Sequence, residues 1–418
     1  MTNHSEPSLS TSPASLGVIG AGTMGAGIAQ VASMAGWKVE LMDVDEKVVQ
    51  AAIEGIAKRL NRLVEKERLT PAARDEAVSR LLVATSPDCF RECDLVIEAI
   101  VEDLDVKAKV LGGIVPSLRD DAIIATNTSS LSVSRIAQAL GEPYQSRTCG
   151  MHFFNPAPLM KLCEVIAGDQ TSPEVVNRVT QIAQSWGKQV ARAADVPGFI
   201  VNHVARPYYL EAFRILEDGY ARPDDVDNAM KSLGGFRMGP LELTDLIGQD
   251  VNTATTRSVW EQLDKPPLLH PSALQESLAQ AGHLGRKTKR GVYDYTTETP
   301  TPSIDTKAFP FEMSEALREA VNNFVTRAVD RPGDELQNYI FARIVGALIV
   351  QATLAFERGV AQRDDIDIAM KYGVNYPHGP FEWVTQIGTD KVMSLLDALN
   401  ETVDDNRFAP PESLRVPV

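Results

Sequence analysis

The run Gly20-Ala-Gly22-Thr-Met-Gly25 narrows the choice of fold more than any other stretch of this sequence. It follows the apolar, strand-like Leu16 to Ile19 and opens a helical run, Met24 to Met34, that ends near Gly36. Glycines at those three places suit a tight turn, a close approach of backbone to a pyrophosphate and tight helix–strand packing, with the helix N-terminus aimed at the phosphates. Thr23 and Met24 belong to the same turn. An acid should close the second strand to take ribose hydroxyls, and Asp43 stands 23 residues beyond Gly20, after Val39 to Met42. The spacing predicts a dinucleotide site, and the Asp43 carboxylate predicts NAD over NADP because it repels a 2′-phosphate.

Up to about residue 195 short apolar runs alternate with amphipathic ones: Val39 to Met42, Leu95 to Ile100, Ala122 to Ala125 and Thr148 to Phe154. That alternation predicts βαβ units and a mostly parallel sheet over residues 16–196, a Rossmann-type α/β domain. Between Val39 to Met42 and Leu95 to Ile100, Asp45 to Glu67 has helical spacing, and Thr70-Pro71 supplies an N-cap and first helical position, so a helical hairpin is expected there. Beyond Val196-Pro197-Gly198 the apolar residues recur only at helical spacing. Gly219 to Ser232 matches Gly359 to Tyr372 at an offset of 140, with 8 of 14 positions identical. Gly239-Pro240, Glu242, Ile247-Gly248 and Asp250 keep that register, which predicts a duplicated helical domain, residues 197–295 and 336–418, joined by a linker at 296–335.

A formal net charge of −15 argues against nucleic acid as a partner. The longest apolar segment, Ile344 to Phe356, is interrupted by Gly346 and Gln351 and falls short of the ~20 residues a membrane span needs, so no membrane association is expected. Residues 1–15, rich in Ser, Thr and Pro, read as a disordered tail without signal-peptide character, which points to the cytoplasm. The four cysteines, Cys89, Cys93, Cys149 and Cys163, are too few and scattered for a disulfide framework, and nothing in the spacing suggests a metal.

Three further places offer chemistry. Met151-His152-Phe-Phe-Asn155-Pro156 puts one of only six histidines in a strand-like run, and imidazole has the near-neutral pKa that a base for alcohol oxidation needs. Glu164 follows 12 residues later in Lys161 to Ala167, so two strands joined at Asn155-Pro156-Ala157-Pro158 can bring carboxylate and ring together. Asn127-Thr-Ser129-Ser130 lies at the carboxyl end of a strand, where open α/β sheets bind ligands, and equally suits a helix cap. Asn202 is a polar amide among Phe199, Ile200, Val201 and Val204 and needs a partner or a cleft.

Taken together, GAGTMGAGIA, VIEAIVED, NTSSLSVS, HFFNPAPLMKLCEVI, PGFIVN and GPLELTDLIG resemble the motifs of the 3-hydroxyacyl-CoA dehydrogenase family, in family order. The resemblance implies helical C-terminal domains like those of 6-phosphogluconate dehydrogenase, NAD as cofactor, an acyl-CoA substrate and oxidation of an (S)-3-hydroxyacyl-CoA without a metal. It implies His152 as base, Glu164 as its dyad partner, Ser129 and Asn202 as hydrogen-bonding groups for substrate, and Lys66 as a coenzyme A contact. Glu102, Lys107 and Asn155 match positions lining the nicotinamide half of the site. The duplicated C-terminal part is most similar to the branch serving bacterial phenylacetate catabolism, which implies 3-hydroxyadipyl-CoA; 3-hydroxybutyryl-CoA is the alternative, and an NAD-binding structural protein a more distant one. Two positions depart from the family: His203 stands for an arginine, and Lys289 for the glycine of a Lys-Thr-Gly turn beginning at Lys287. Arg206, Arg237 and Lys161 are each as compatible with a distal carboxylate as with an ordinary structural charge. In single-copy relatives the helical domain pairs across a dimer, so the two copies here are expected to pair within the chain; whether two chains pair is left open.

Overall fold

The computed structural model describes residues 14–304 and 311–415, so the expected tail at 1–15 lies outside the described residues except for its last two. The chain divides into two compact units, one ending at Val190 and the other starting at Ala191.

The first unit is built on a sheet of β1 (Ser15–Ile19), β2 (Lys38–Met42), β3 (Leu81–Val83), β4 (Leu95–Glu98), β5 (Ile123–Thr126), β6 (Thr148–Phe153), β7 (Leu162–Ala167) and β8 (Gln189–Ala194), in the order 3-2-1-4-5-6-7-8. Pairing is parallel from β3 through β6, and β7 runs antiparallel to β6. Strands β1, β4, β5 and β6 are buried throughout, which is why they appear in the sequence as continuous apolar runs. Helix α1 (Thr23–Met34) follows β1. The expected hairpin is α2 (Glu46–Glu65) and α3 (Pro71–Ser79), where the Thr70 hydroxyl accepts from Ala73 N at 3.2 Å. Strands β3 and β8 are not anticipated by the apolar pattern: β3 has three residues, and β8 mixes exposed Gln189 and Arg192 with buried Val190 and Ala191. The end of β8 is tied to the second unit, with Arg192 N donating to Asp365 Oδ1 and Ala194 N to Val360 O.

In the second unit the offset of 140 is structural. Helices starting at Pro223, Pro240 and Gln249 recur as helices starting at Arg363, Pro380 and Thr389. Asp227 closes the turn before Pro240–Ile247 by accepting from Leu241 N and Glu242 N at 2.8 and 2.9 Å, and Asp367 does the same for Phe381 N and Glu382 N at 2.9 and 3.0 Å. A side chain on Gly239 or Gly379 would collide with that carboxylate, which explains the repeated glycine. The copies diverge at their first helix. The second copy has one unbroken helix, Glu335–Glu357, whereas the first has Val201–Val204 and then Arg206–Glu217. Pro207, which lacks an N–H and crowds the preceding turn, occupies the place of Ala347 and accounts for the break.

Helix Glu335–Glu357 corrects the reading of the apolar segment. It is long and apolar enough to cross a bilayer, but 89% of its most apolar window is buried in the protein. It packs on Arg206–Glu217, so the two copies pair within the chain. Across that seam buried Glu211 meets Arg343 at 2.8 Å and Arg407 at 3.1 Å, with Arg214 on its own helix. Burial pushes the Glu211 carboxyl up, but the three guanidinium groups outweigh it and hold it at about 2. The expected linker at 296–335 is corrected as well: it contains the helix Glu315–Ala328, which buries Leu317, Val321, Phe324 and Val325. Those residues recur at helical spacing behind a Ser314 cap, a signal that the Thr- and Pro-rich stretch before them obscures.

Candidate active site

The turn between β1 and α1 has the shape its glycines require. Gly20 has φ +99° and approaches Ala99 O so closely that a Cβ would lie 2.7 Å from it; a Cβ on Gly25 would strike Gly20 O. Gly22 has nothing within 4 Å of where a Cβ would stand, which leaves its backbone open to a ligand. It is also the N-cap of α1 and brings no side-chain cap, so the first N–H groups of the helix are left to a phosphate. Thr23 and Met24 are the first helical residues. Asp43 is oriented by Ala21 N on Oδ2 at 2.6 Å and Val44 N on Oδ1 at 2.7 Å.

At the carboxyl ends of β4 and β5 lies an acid–base–hydroxyl network. Lys107 is 1% exposed; its ammonium bonds Glu98 at 2.6 Å and lies 3.3 Å from Glu102. Glu98 also accepts from Thr126 Oγ1 at 2.7 Å and Ile100 N at 2.6 Å. Glu102 Oε1 accepts from Thr128 Oγ1 at 2.7 Å and from the N–H and hydroxyl groups of Ser129 and Ser130 at 2.8 to 3.1 Å. Burial raises the Glu102 pKa, but these donors and the Lys107 charge outweigh it and hold it below the usual carboxylate range. Lys107 therefore organises Glu102 from below, and Ser129 sits on that carboxylate. The sequence reading passed over Glu98, although an acid ending a buried strand needs a partner.

Next to this network β6 and β7 set His152 directly opposite Glu164. His152 Nδ1 and Glu164 Oε2 are 2.6 Å apart, with both residues buried. An antiparallel pair places opposed side chains on one face, so the 12-residue spacing and the turn at Asn155–Pro156 bring ring and carboxylate together. Asn127 Oδ1 accepts from Phe153 N at 2.8 Å and ties the end of β5 to this strand. Such a contact fixes the ring orientation through Nδ1.

Asn155 is exposed and lines a cleft of about 1120 Å³ together with Gly22 and Thr23 of α1, Arg59 and Arg62 of α2, and Lys161. Lys66, exposed, caps the C-terminus of α2. In the second unit, half-buried Asn202 accepts from Arg206 Nη2 at 3.5 Å. His203 is fully buried, and burial with the nearby Arg358 charge lowers its pKa to about 4, so it is neutral at pH 7. Lys289 adopts φ +59°, so the turn expected of glycine forms with lysine, and Lys287 Nζ bonds the Asp250 carboxylate at 2.6 and 2.7 Å.

A phosphate-binding turn on a doubly wound sheet beside a histidine–carboxylate dyad defines a dinucleotide-dependent dehydrogenase. The family descriptions "3-hydroxyacyl-CoA dehydrogenase, NAD binding domain" and "3-hydroxyacyl-CoA dehydrogenase, C-terminal domain" match residues 15–196 and residues 198–295 with 339–418. The chain belongs to the 3-hydroxyacyl-CoA dehydrogenase family and is an NAD-dependent oxidoreductase. It is 37% identical to 3-hydroxyadipyl-CoA dehydrogenase of Escherichia coli (strain K12), over 95% of this chain and 96% of that one. A crystal structure of 3-hydroxybutyryl-CoA dehydrogenase from Escherichia coli K12 superposes with TM-score 0.85 at 35% identity, covering 97% of this chain and 98% of the other. That of (S)-3-hydroxybutyryl-CoA dehydrogenase from Ralstonia eutropha covers 68% of this chain and all of its own, with TM-score 0.65 and 39% identity.

Proposed function

We propose that this dehydrogenase acts on 3-hydroxyadipyl-CoA in aromatic catabolism. The observation that carries the reading is the likeness to the Escherichia coli 3-hydroxyadipyl-CoA dehydrogenase, which runs through the duplicated helical domain and not only the part shared with shorter relatives. In the chemistry we assign, the 3-hydroxyl gives its proton to His152 Nε2 and Glu164 stabilises the imidazolium that forms. The Gly20–Gly25 turn and Asp43 would hold NAD, which when bound would supply the hydride acceptor for C3. Ser129 is assigned a hydrogen bond to substrate, as is Asn202 by the family resemblance, and Asp43 takes the ribose hydroxyls. Arg59, Arg62 and Lys66 recur at helical spacing along α2, a row of cations suited to coenzyme A phosphates, which supports Lys66 as a contact.

The second reading is 3-hydroxybutyryl-CoA, the substrate in the names of the two solved relatives. Steady-state kcat/KM with both thioesters decides between them. We expect the six-carbon diacid to be favoured by at least roughly tenfold. A preference for the four-carbon substrate would replace this reading with the second.

A further inference from the structure

Three cations could meet a distal carboxylate, and the structure separates them. Arg237 and Lys161 are exposed, whereas Arg206 is 3% exposed. A guanidinium taken out of water costs several kcal/mol unless an acid and further acceptors meet it. Among the described residues no carboxylate lies within ion-pair distance of Arg206. Its Nε has no hydrogen-bond partner, and its other contacts are Thr256 Oγ1 at 3.4 Å, Asn202 Oδ1 at 3.5 Å and the ring of Tyr209, 5.0 Å from the guanidinium carbon. Arg343, in the same unit and equally buried, shows the contrast: it is met by Glu211 and Asp218, both at 2.8 Å.

The surroundings of Arg206 are short of acceptors. The buried Tyr376 hydroxyl has no partner, and its ring lies 5.2 Å from Tyr208, which packs on the Tyr209 ring that Arg206 covers. One turn before Thr256 on the same helix face, Asn252 Nδ2 is a further buried donor left unmade. Asn202 and Arg206 stand on either side of the break between Val201–Val204 and Arg206–Glu217, and their side chains meet at 3.5 Å. A 3-hydroxyadipyl chain carries its second carboxylate three bonds beyond the reacting carbon.

We propose that Arg206 is a specificity residue that binds the distal carboxylate of a dicarboxylic acyl chain whose reacting end is held at Asn202, with the Tyr376 hydroxyl as a second donor. The proposal rests on the substrate reading above. A carboxylate supplies both the charge and the close acceptors that these surroundings lack, whereas a neutral acyl tail supplies neither and leaves the guanidinium with only its long contacts to Thr256 and Asn202.

The test uses the full chain and compares kcat/KM for 3-hydroxyadipyl-CoA with that for 3-hydroxyhexanoyl-CoA, which has the same length and no second carboxylate. Wild type should favour the diacid; Arg206→Gln should lower that ratio roughly 10- to 100-fold, chiefly through KM, as expected for a lost charge-assisted hydrogen bond. Arg206→Lys, which keeps a cation without the fork, should fall between. Tyr376→Phe, which removes one hydroxyl and spares the packing, should lower the ratio several-fold and is the arm to read if Arg206→Gln does not fold. A wild type indifferent to the carboxylate overturns the substrate reading. A wild type that prefers the diacid, with variants that keep its ratio or lose both substrates in proportion, overturns the role of Arg206 alone.

Discussion

His152 and Glu164 face one another because two antiparallel strands share a register, and their 12-residue spacing around a turn-prone Asn155-Pro156-Ala157-Pro158 let the sequence anticipate that the two could meet. Their roles lead to a prediction at this scale. His152→Gln should lower kcat by roughly 10²- to 10⁴-fold while NADH affinity, followed by fluorescence titration, stays close to wild type, because the ring serves the reacting hydroxyl and not the phosphates. Glu164→Gln should act in the same direction with a smaller loss. A His152→Gln enzyme with near-normal kcat would remove the dyad from the mechanism. Other residues were not readable in this way. Sequence names Arg206, Arg237 and Lys161 as cations but says nothing of which one is stripped of water; that depends on neighbours such as Thr256 and Tyr376, far off in the chain. The same holds for Lys107, where the motif suggests a cofactor contact and burial against Glu98 gives it a supporting place.

Asp227 and Asp367 show how the duplication acts at the scale of the element, since each holds a glycine–proline helix start by two backbone N–H groups. Burial raises both carboxyls, Asp227 to about 7 and Asp367 to about 6, against the hydrogen bonds that favour their charged forms. A carboxyl raised in the folded state binds its proton more tightly there than in the unfolded chain. Its contribution to stability is therefore complete below the unfolded value near 3.8 and is lost as pH rises through the folded one. For Asp227 that window runs from about pH 4 to about pH 7, and the loss is on the order of a few kcal/mol. Melting temperatures of wild type and Asp227→Asn at pH 5 and pH 8 should reveal it: the advantage of wild type should shrink at the higher pH. A difference that stays constant would show that the carboxyl keeps an ordinary pKa. The aspartates, glycines and prolines of this device recur visibly at an offset of 140, whereas helix Glu315–Ala328 was hidden behind a Thr- and Pro-rich stretch and β3 by its three residues.

For the molecule as a whole the duplication pairs two helical copies within one chain, and the first helix of each copy shows why the two are not equivalent. Asn202 and His203 of the first copy correspond to Ala342 and Arg343 of the second, so the second offers no amide at that place and instead gives Arg343 to Glu211. No second glycine fingerprint precedes it either. The second copy is thus a covering element, with helix Glu335–Glu357 laid on Arg206–Glu217. Ending the chain near residue 300 leaves the residues assigned to chemistry in place but removes helix Glu335–Glu357 and so uncovers the helix it packs on, Arg206–Glu217, whose Leu210, Phe213 and Leu216 are buried in the intact chain. It also takes Arg343 and Arg407 from Glu211, leaving a buried carboxylate with only Arg214, a change that costs roughly 3–5 kcal/mol when one side of such a pair is removed. We expect the truncated chain to aggregate or to form dimers through the exposed face, read by light scattering coupled to gel filtration, and to melt well below the full chain. A truncated protein that stays monomeric, soluble and as heat-stable as the intact one would mean that the second copy covers nothing the first copy needs.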